Sequence, residues 1–245
     1  MSADIAFLEG PRDRARGLVL AAGSPTIAQL PQWLAPVVAA ARTVTVDDLT
    51  RFPPPASGGR ESSVLMLFGH DEGKPEVLLI ERSHDMRSHS GQPAFPGGAL
   101  DPNDSGVVAA ALREAEEETG LDPTGVLPFA VLPDLFVPPS GFVVTPVLAW
   151  WEVPSAVGVV DAGEVADVLR ISIDHLTNPA NRVRVRHPSG YVGAGFIFND
   201  LVIWGFTGGL LDRIIALAGW EQPWDQSNVV DVDESREPFD EGPQE

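Results

Sequence analysis

The stretch "FPGGALDPNDSGVVAAALREAEEETGL", residues 95–121, joins a Pro-Gly-Gly turn to a segment that carries four glutamates within five residues. On a helical wheel with about 100° per residue, Glu114, Glu117 and Glu118 share one face. The apolar positions Val108, Leu112 and Ala115 fall on another face. This pattern predicts an amphipathic helix whose carboxylates are separated from its core side.

The two ends of this helix also carry signals in the sequence. Ser105 or Asp104 can cap the first turn, since both side chains accept hydrogen bonds from free backbone amides. Gly120 followed by Leu121 is typical of a helix that ends in a left-handed glycine with a hydrophobic contact. We therefore expect the helix to begin just after Asp104 or Ser105 and to end at Gly120.

The glutamates of this helix should repel one another by a few tenths of a kcal/mol per pair. A bound divalent cation would reverse that sign, and Mg²⁺ suits carboxylate oxygens on one side and phosphate oxygens on the other. A solvated acidic face is the alternative, because charge runs usually have that role. Two neighbours favour the metal: Arg113 can orient a glutamate, and the glycines of "PGG" allow a close backbone approach.

Composition limits the classes of partner. The chain has 245 residues, a formal net charge of -19 and no cysteine. This charge disfavours binding to nucleic acid or to an anionic membrane through a general basic surface. Without cysteine, disulfides and thiolate metal sites are excluded. We also expect no signal peptide, no membrane span of ~18 to 20 apolar residues and a cytoplasmic location.

Breaks in the sequence pattern indicate how the chain is divided into parts. "RFPPPASGGR" separates an N-terminal helical extension and linker, residues 1–58, from a main domain over residues 59–222. Residues 223–245 are acidic and predict a disordered tail. Within the main domain, "SSVLMLFG" and "PEVLLIERS" predict a β-hairpin, and "DAGEVADVL" predicts a short helix. Strands around one central helix, closed by a late helix, indicate an α+β sandwich.

The glutamate helix resembles the signature of the Nudix hydrolases. That pattern has a glycine, five residues, an acidic residue, seven residues, and then Arg-Glu-apolar-any-Glu-Glu-any-Gly-apolar. Its second half is matched by Arg113, Glu114, Ala115, Glu117, Glu118, Gly120 and Leu121. The first half departs from it, because Asp104 stands in place of glutamate and eight residues separate Asp104 from Arg113.

A second motif resembles the element that precedes this signature in the coenzyme A pyrophosphatase branch of the family. It is carried by "LLIERSHDMRSHSGQPAFPGG", with matches at Arg82, Ser83, Arg87, Gly91, Phe95, Pro96, Gly97 and Gly98. Ile80 stands where threonine is usual. The closing segment "VIWGFTGGLLDRII" also resembles that branch, so the resemblance covers about residues 62–220.

The resemblance implies a Nudix-type α/β/α sandwich with a mixed sheet, and hydrolysis of a diphosphate linkage in a small-molecule nucleotide. Coenzyme A is the leading substrate, with adenosine 3',5'-bisphosphate and 4'-phosphopantetheine as products. The cofactor would be Mg²⁺ or Mn²⁺. Its primary ligands would be Glu114 and Glu118, with Glu117 as a further ligand and the Gly98 carbonyl as an extra one.

Further roles follow from the same motifs. Arg82 and Arg87 are expected to bind substrate phosphate, although Glu81 and Asp85 could instead pair with them. Ser83, Gly97 and Phe95 are expected to contribute to the substrate site. The general base stays open between Glu164, which could otherwise serve a helix dipole, and Glu117.

Several alternatives stay open at this point. The substrate could be another nucleotide derivative, such as ADP-ribose, a dinucleoside polyphosphate or a nucleoside triphosphate. The chain could also be a noncatalytic nucleotide-binding module, although its signature glutamates are all present. The sequence does not decide whether the chain forms a homodimer. The tryptophans near residues 150 and 204 are expected in the core, and His84 and His89 in a solvated loop.

Overall fold

The computed structural model describes residues 3–10, 13–84, 91–138 and 140–232. The helices are α1 (Ala3–Glu9), α2 (Pro25–Gln29), α3 (Ala35–Ala41), α4 (Val46–Leu49), α5 (Val107–Thr119), α6 (Ile173–Thr177) and α7 (Gly205–Leu217), with short 3₁₀ turns at Gln32–Leu34, Pro123–Gly125 and Pro179–Asn181. The strands are β1 (Leu18–Val19), β2 (Arg60–Asp71), β3 (Lys74–Arg82), β4 (Pro93–Ala94), β5 (Gly97–Ala99), β6 (Val126–Val131), β7 (Leu135–Val137), β8 (Phe142–Trp151), β9 (Val165–Ser172), β10 (Arg182–Arg186), β11 (Val192–Phe198), β12 (Leu201–Ile203) and β13 (Val229–Asp231).

Nine of these strands form the main sheet. Its path is β1-β6-β8-β2-β3-β4, with β5 paired to β2, β7 to β8 and β9 to β3. Strands β2 and β8 run parallel, in register from Arg60 opposite Phe142 to Phe68 opposite Trp150, and the other pairs are antiparallel. A smaller sheet has the order β12-β11-β10-β13. The sheet is therefore mixed, as predicted.

Helices cover both faces of the main sheet because its central strand alternates. Met66 and Phe68 of β2 face a core shared with α3 and α7, whereas Leu65 and Leu67 face a core shared with α1 and α5. Successive side chains of a strand point to opposite faces, so one buried strand serves both cores. The result is the predicted α/β/α sandwich, with the glutamate helix α5 in one outer layer.

The N-terminal segment contributes to both helical layers. Helix α3 packs against α7, helix α1 packs against α5, and β1 adds an edge strand to β6. Val37 and Ala41 of α3 are buried in one core, and Leu8 of α1 is buried in the other. The segment before residue 58 is thus packed onto the sandwich.

Local predictions had mixed outcomes. The hairpin of β2 and β3 is confirmed, and it turns at Glu72 and Gly73, whose φ angles are 47° and 82°. The helix predicted at "DAGEVADVL" is wrong, because residues 161–164 form a turn and β9 then pairs with β3. Here pairing with a buried strand overrides a weak helical pattern.

The acidic C-terminal segment is ordered at its start. Val229–Asp231 forms β13, which pairs in parallel with β10, and Asp231 accepts hydrogen bonds from Arg186. Two adjacent β-branched valines favour a strand, and this corrects the predicted disorder for that part of residues 223–245. Residues 233–245 lie outside the described residues.

Candidate active site

Helix α5 receives its N-terminal cap from a distant part of the chain. Its cap residue Gly106 makes no side-chain hydrogen bond. Instead, Oε1 of Glu9 accepts from the backbone N–H of Ala109 at 3.1 Å and from the Ser105 hydroxyl at 3.2 Å. The prediction that Ser105 or Asp104 caps the helix is therefore wrong, since α1 brings a carboxylate to the same amides. The predicted end is confirmed: Gly120 has φ 69°.

Arg113 ties the acidic residues of the helix together. Its Nη1 donates to Oε1 of Glu114 and to Oε2 of Glu117, each at 2.9 Å. Its Nε and Nη2 donate to the two carboxylate oxygens of Asp104 at 3.1 and 3.0 Å. The guanidinium lowers the pKa of Asp104 and thereby keeps this carboxyl charged. Asp104 thus positions Arg113, and Arg113 in turn positions Glu114 and Glu117.

The glycine turn before the helix is shaped by close contacts. The backbone N–H of Gly97 donates to Oε2 of Glu118 at 2.9 Å. A Cβ on Gly97 would lie 2.3 Å from the carbonyl oxygen of Ser63, and a Cβ on Gly98 would lie 2.5 Å from the carboxylate of Glu114. Gly97 therefore requires glycine for the turn to approach strand β2, and a Cβ at Gly98 would displace the Glu114 carboxylate.

Burial makes these carboxylates costly to charge. Glu118 is 6% exposed, and its burial raises its pKa from the ordinary 4.5 to about 7. Burial also raises the pKa of Glu114, against the opposing effect of Arg113. The negative charge of Glu164 raises the pKa of both groups, whereas Arg82 and the Gly97 amide lower that of Glu118. The glutamates thus lack enough positive charge around them.

The end of strand β3 and the turn before β9 approach this cluster. A register shift occurs between Glu81 and Arg82, and the backbone N–H of Ser83 donates to the carbonyl oxygen of Glu164 at 2.8 Å. The Glu164 side chain is exposed. The structure therefore brings Arg82 and Glu164 to the electrostatic environment of Glu114 and Glu118. We call Arg82, Gly97, Gly98, Glu114 and Glu118 the glutamate site.

Other predicted residues are placed differently. The ring of Phe95 is 3% exposed and packs in the core beneath the turn, and the side chain of Ser83 is also buried. Arg87 and His89 lie outside the described residues. His84 lies 3.1 Å from a carboxylate oxygen of Glu81. The expected core placement is confirmed for Trp150, Trp151 and Trp204.

The donor chemistry of the site fits a divalent cation. Within the described ranges, no three histidine, aspartate or glutamate side chains are already arranged as a metal cage. Glu114 and Glu118 nevertheless offer two poorly neutralised carboxylates one helical turn apart, at a turn without side chains. A cation would offset the burial cost that raises their pKa values, and hard cations prefer such oxygens.

The sequence pattern missed two functional contacts. Glu9 lies 100 residues before its partner Ala109, so no local signal points to it. The pairing of Asp104 with Arg113 carries a weak signal, since both residues belong to the signature.

None of the helices in the described part of the chain is long and apolar enough to cross a membrane.

Comparison with known proteins identifies the family. The NUDIX domain model matches residues 59–185. An uncharacterised Nudix hydrolase NudL from Citrobacter koseri is 32% identical over 191 residues, which cover 72% of this chain and 96% of the relative. A NudL from Pectobacterium atrosepticum is 44% identical over 110 residues, or 42% of this chain and 56% of the relative. The crystal structure of RenU, a Nudix hydrolase from M. smegmatis, superposes with a TM-score of 0.45 at 17% identity and covers 69% of this chain and 96% of its own. The family-domain match over half of the chain and the nearly full-length relative show that this chain belongs to the Nudix hydrolase family.

Proposed function

We propose that this Nudix hydrolase cleaves the diphosphate linkage of coenzyme A or a derivative of it. One observation carries the proposal: two underneutralised glutamates, Glu114 and Glu118, face a side-chain-free glycine turn beside Arg82 and Glu164. A diphosphate brings negative charge that must be neutralised, and such a site can do this only together with a cation.

Glu114 and Glu118 would hold the cation, Mg²⁺ or Mn²⁺, with Glu117 and the Gly98 carbonyl as further ligands. When bound, a divalent cation neutralises phosphate charge and lowers the pKa of water. Arg113 positions Glu114 and Glu117 through its hydrogen bonds at 2.9 Å. This positioning matters because an in-line displacement tolerates little misplacement of the groups that hold the reactants.

The remaining roles belong to groups around the glutamates. Arg82 would bind substrate phosphate, for which a guanidinium is geometrically suited. A carboxylate must accept the proton from the attacking water, and Glu164 and Glu117 are the two candidates because both are exposed. The reaction adds the water oxygen to one phosphorus and breaks its bond to the bridging oxygen. The products are adenosine 3',5'-bisphosphate and 4'-phosphopantetheine.

The substrate assignment rests on the motif at residues 78–98 and not on the relatives, since NudL is uncharacterised. Another nucleoside diphosphate derivative is the second candidate, because the same carboxylates and glycine turn would serve any diphosphate. Four points remain expectations from the sequence alone. They are the cytoplasmic location, the absence of a nucleic-acid partner, the question of a homodimer, and the domain limits at residues 58 and 222.

A turnover assay tests this proposal. Purified protein with Mg²⁺ is given coenzyme A, dephospho-coenzyme A, ADP-ribose and a diadenosine polyphosphate, and the products are identified by mass spectrometry. We expect cleavage of coenzyme A to the two products above with the highest kcat/KM, and no cleavage with EDTA. Preferred cleavage of another compound would discard coenzyme A, and no cleavage of any would contradict the proposed activity.

A further inference from the structure

A cleft of about 940 Å³ is lined by none of the residues of the glutamate site. Its walls come from residues 47–52, 135–138, 189–194 and 221–226 and from helix α7. Except for residues 135–138 and Arg184, the lining lies outside the matched domain at residues 59–185. We call this the arginine cleft. It is built mainly by the N-terminal segment and by the C-terminal part of the described chain.

The sheet sets the separation between the two sites. Ala99, beside the glycine turn, pairs with Ser62; Ser62 pairs with Val144; and Val144 pairs with Leu135, which lines the cleft. Three steps between strands of about 4.8 Å each give about 14 Å. This distance runs along the sheet, and the cleft lies on the α7 side of the sheet whereas the glutamates lie on the α5 side. A single ligand that reaches both sites must therefore pass around the edge of the sheet.

Two arginines in the cleft are not engaged by the protein. Within the described ranges, the side chains of Arg51 and Arg184 make no hydrogen bond or ion pair. Both line the cleft together with Tyr191. Burial and the Asp212 carboxylate raise the pKa of the Tyr191 phenol, and the two arginines lower it by less. Arg184 is half-buried. A guanidinium in this position has all its donors available for a ligand.

Most of the acidic side chains of the cleft are already engaged. Asp212 is paired with the buried Arg182, the Asp48 carboxylate accepts from Thr45, and Glu221 accepts from the indole N–H of Trp224 at 3.3 Å. Asp47 is the remaining carboxylate of the lining, and it is exposed. With Arg182 included, four arginines stand beside the four carboxylates of the lining, so the cleft is close to neutral in a chain of net charge -19, and its attraction for anions is local to Arg51 and Arg184.

Aromatic rings complete the walls. Phe52 is 55% exposed, although large apolar side chains are usually covered. Phe206 and Trp224 are partly exposed, and the opposite face of Trp224 is held by Arg182, whose guanidinium carbon lies 4.7 Å from the ring centroid. Flat rings beside free guanidinium groups suit a ligand that has both an aromatic ring and a phosphate.

We infer that the arginine cleft binds a phosphorylated nucleoside, with its base against the aromatic walls and its phosphate at Arg51 and Arg184. Two sources can supply this chemistry: the adenosine end of the substrate that reacts at the glutamate site, or a separate nucleotide. The first source rests on the proposed function, and binding itself does not.

The test measures binding by the full-length, metal-free protein in EDTA, by isothermal titration calorimetry with adenosine 3',5'-bisphosphate and AMP, and with adenosine as the ligand that lacks phosphate. The variants are Arg51→Gln and Arg184→Gln. Arg186→Gln is the matched control, since Arg186 lies on the same strand face but pairs with Asp231. Circular dichroism melting establishes that each variant is folded.

We expect both phosphorylated nucleosides to bind the wild-type protein more tightly than adenosine, with affinity about tenfold or more lower in Arg51→Gln and Arg184→Gln and unchanged in Arg186→Gln. Unchanged affinity in both cleft variants, or no binding by the wild-type protein at about 1 mM ligand, would overturn the inference.

A kinetic comparison then separates the two sources. If the substrate itself fills the cleft, Arg184→Gln raises the KM for coenzyme A, leaves that for dephospho-coenzyme A unchanged and preserves kcat. If a separate nucleotide fills it, both KM values stay unchanged while the calorimetric loss persists. Calorimetry measures binding in the arginine cleft whether or not coenzyme A is cleaved. A failure of the proposed function is therefore distinguished from a failure of this inference.

Discussion

Charge is held in opposite ways at the glutamate site and in the arginine cleft. At the glutamate site, the buried carboxylates are not fully neutralised by nearby positive charges, and Arg113 donates its hydrogen bonds to Asp104, Glu114 and Glu117. In the second, the carboxylates are mostly engaged, and Arg51 and Arg184 keep their donors. The first region is short of positive charge and suits a metal, whereas the second has, within the described part of the chain, two unpaired guanidinium groups and suits a phosphate. The two proposals together would let a very acidic chain bind anions at defined places.

The largest effect is expected from Glu118→Gln on turnover. Loss of an outer-shell partner of a metal costs up to ~100-fold, so loss of a direct ligand should cost about a thousandfold or more. The measurement is kcat/KM with saturating Mg²⁺. Glu116→Gln is the matched control, because Glu116 is exposed on the same helix and makes no contact with the site. Wild-type turnover in Glu118→Gln would show that Glu118 is not a metal ligand, and the glutamate site would then no longer differ from the arginine cleft in this way.

The same substitution should stabilise the metal-free protein at high pH. Burial raises the pKa of Glu118 from 4.5 to about 7, so this group favours the folded state while protonated, and that contribution is lost as the pH rises from 4.5 through 7. Glu118→Gln should therefore gain up to about 3 kcal/mol above pH 7 and nothing near pH 4. Urea unfolding in EDTA at the two pH values measures this. Equal gains at both would show that the charge is not the cause.

A smaller loss of activity is expected from Gly98→Ala. The added Cβ would lie 2.5 Å from the Glu114 carboxylate, so either the turn or the glutamate must shift. A displacement of about 1 Å can cost about a hundredfold in kcat/KM. Gly23→Ala is the control, since a Cβ there meets nothing within 4 Å. Full activity in Gly98→Ala would show that the close approach of turn and helix is unnecessary.

The smallest effect is expected from Glu9→Ala, which removes the cap of helix α5. Loss of a capping side chain costs about 1 kcal/mol, and thermal unfolding should shift down by about 2 to 4 °C. Glu116→Ala removes an exposed glutamate of the same helix that caps nothing, and it should change stability by less than about 0.5 kcal/mol. Equal shifts in the two variants would show that the contact from α1 is not a cap.

The sequence predicted the parts that depend on local pattern. The separation of Glu114, Glu117 and Glu118 from the apolar face follows from helical geometry, and the end at Gly120 follows from its freedom at positive φ. The mixed sheet came from the family resemblance. The glycine turn could be named, although its distances to Ser63 and Glu114 depend on how strand and helix pack.

Contacts between distant segments could not be read from the sequence. Glu9 accepts from the Ala109 amide and the Ser105 hydroxyl only because α1 folds against that helix. Residues 161–169 have a weak helical pattern, and the strand β9 forms from Val165 onward because the edge of β3 is available to pair with it. The arginine cleft joins six separate segments, so its composition has no signature in any one of them.

Mn²⁺ binding tests most directly whether the buried glutamates are metal ligands. Protein is titrated into Mn²⁺, and the electron paramagnetic resonance signal measures how much Mn²⁺ remains free. We expect the wild-type protein and Glu116→Gln to deplete free Mn²⁺ equally, and Glu118→Gln to bind it at least about tenfold more weakly. Equal binding by Glu118→Gln and wild type, or no binding by wild type at about 1 mM, would contradict the assignment of the buried glutamates as metal ligands.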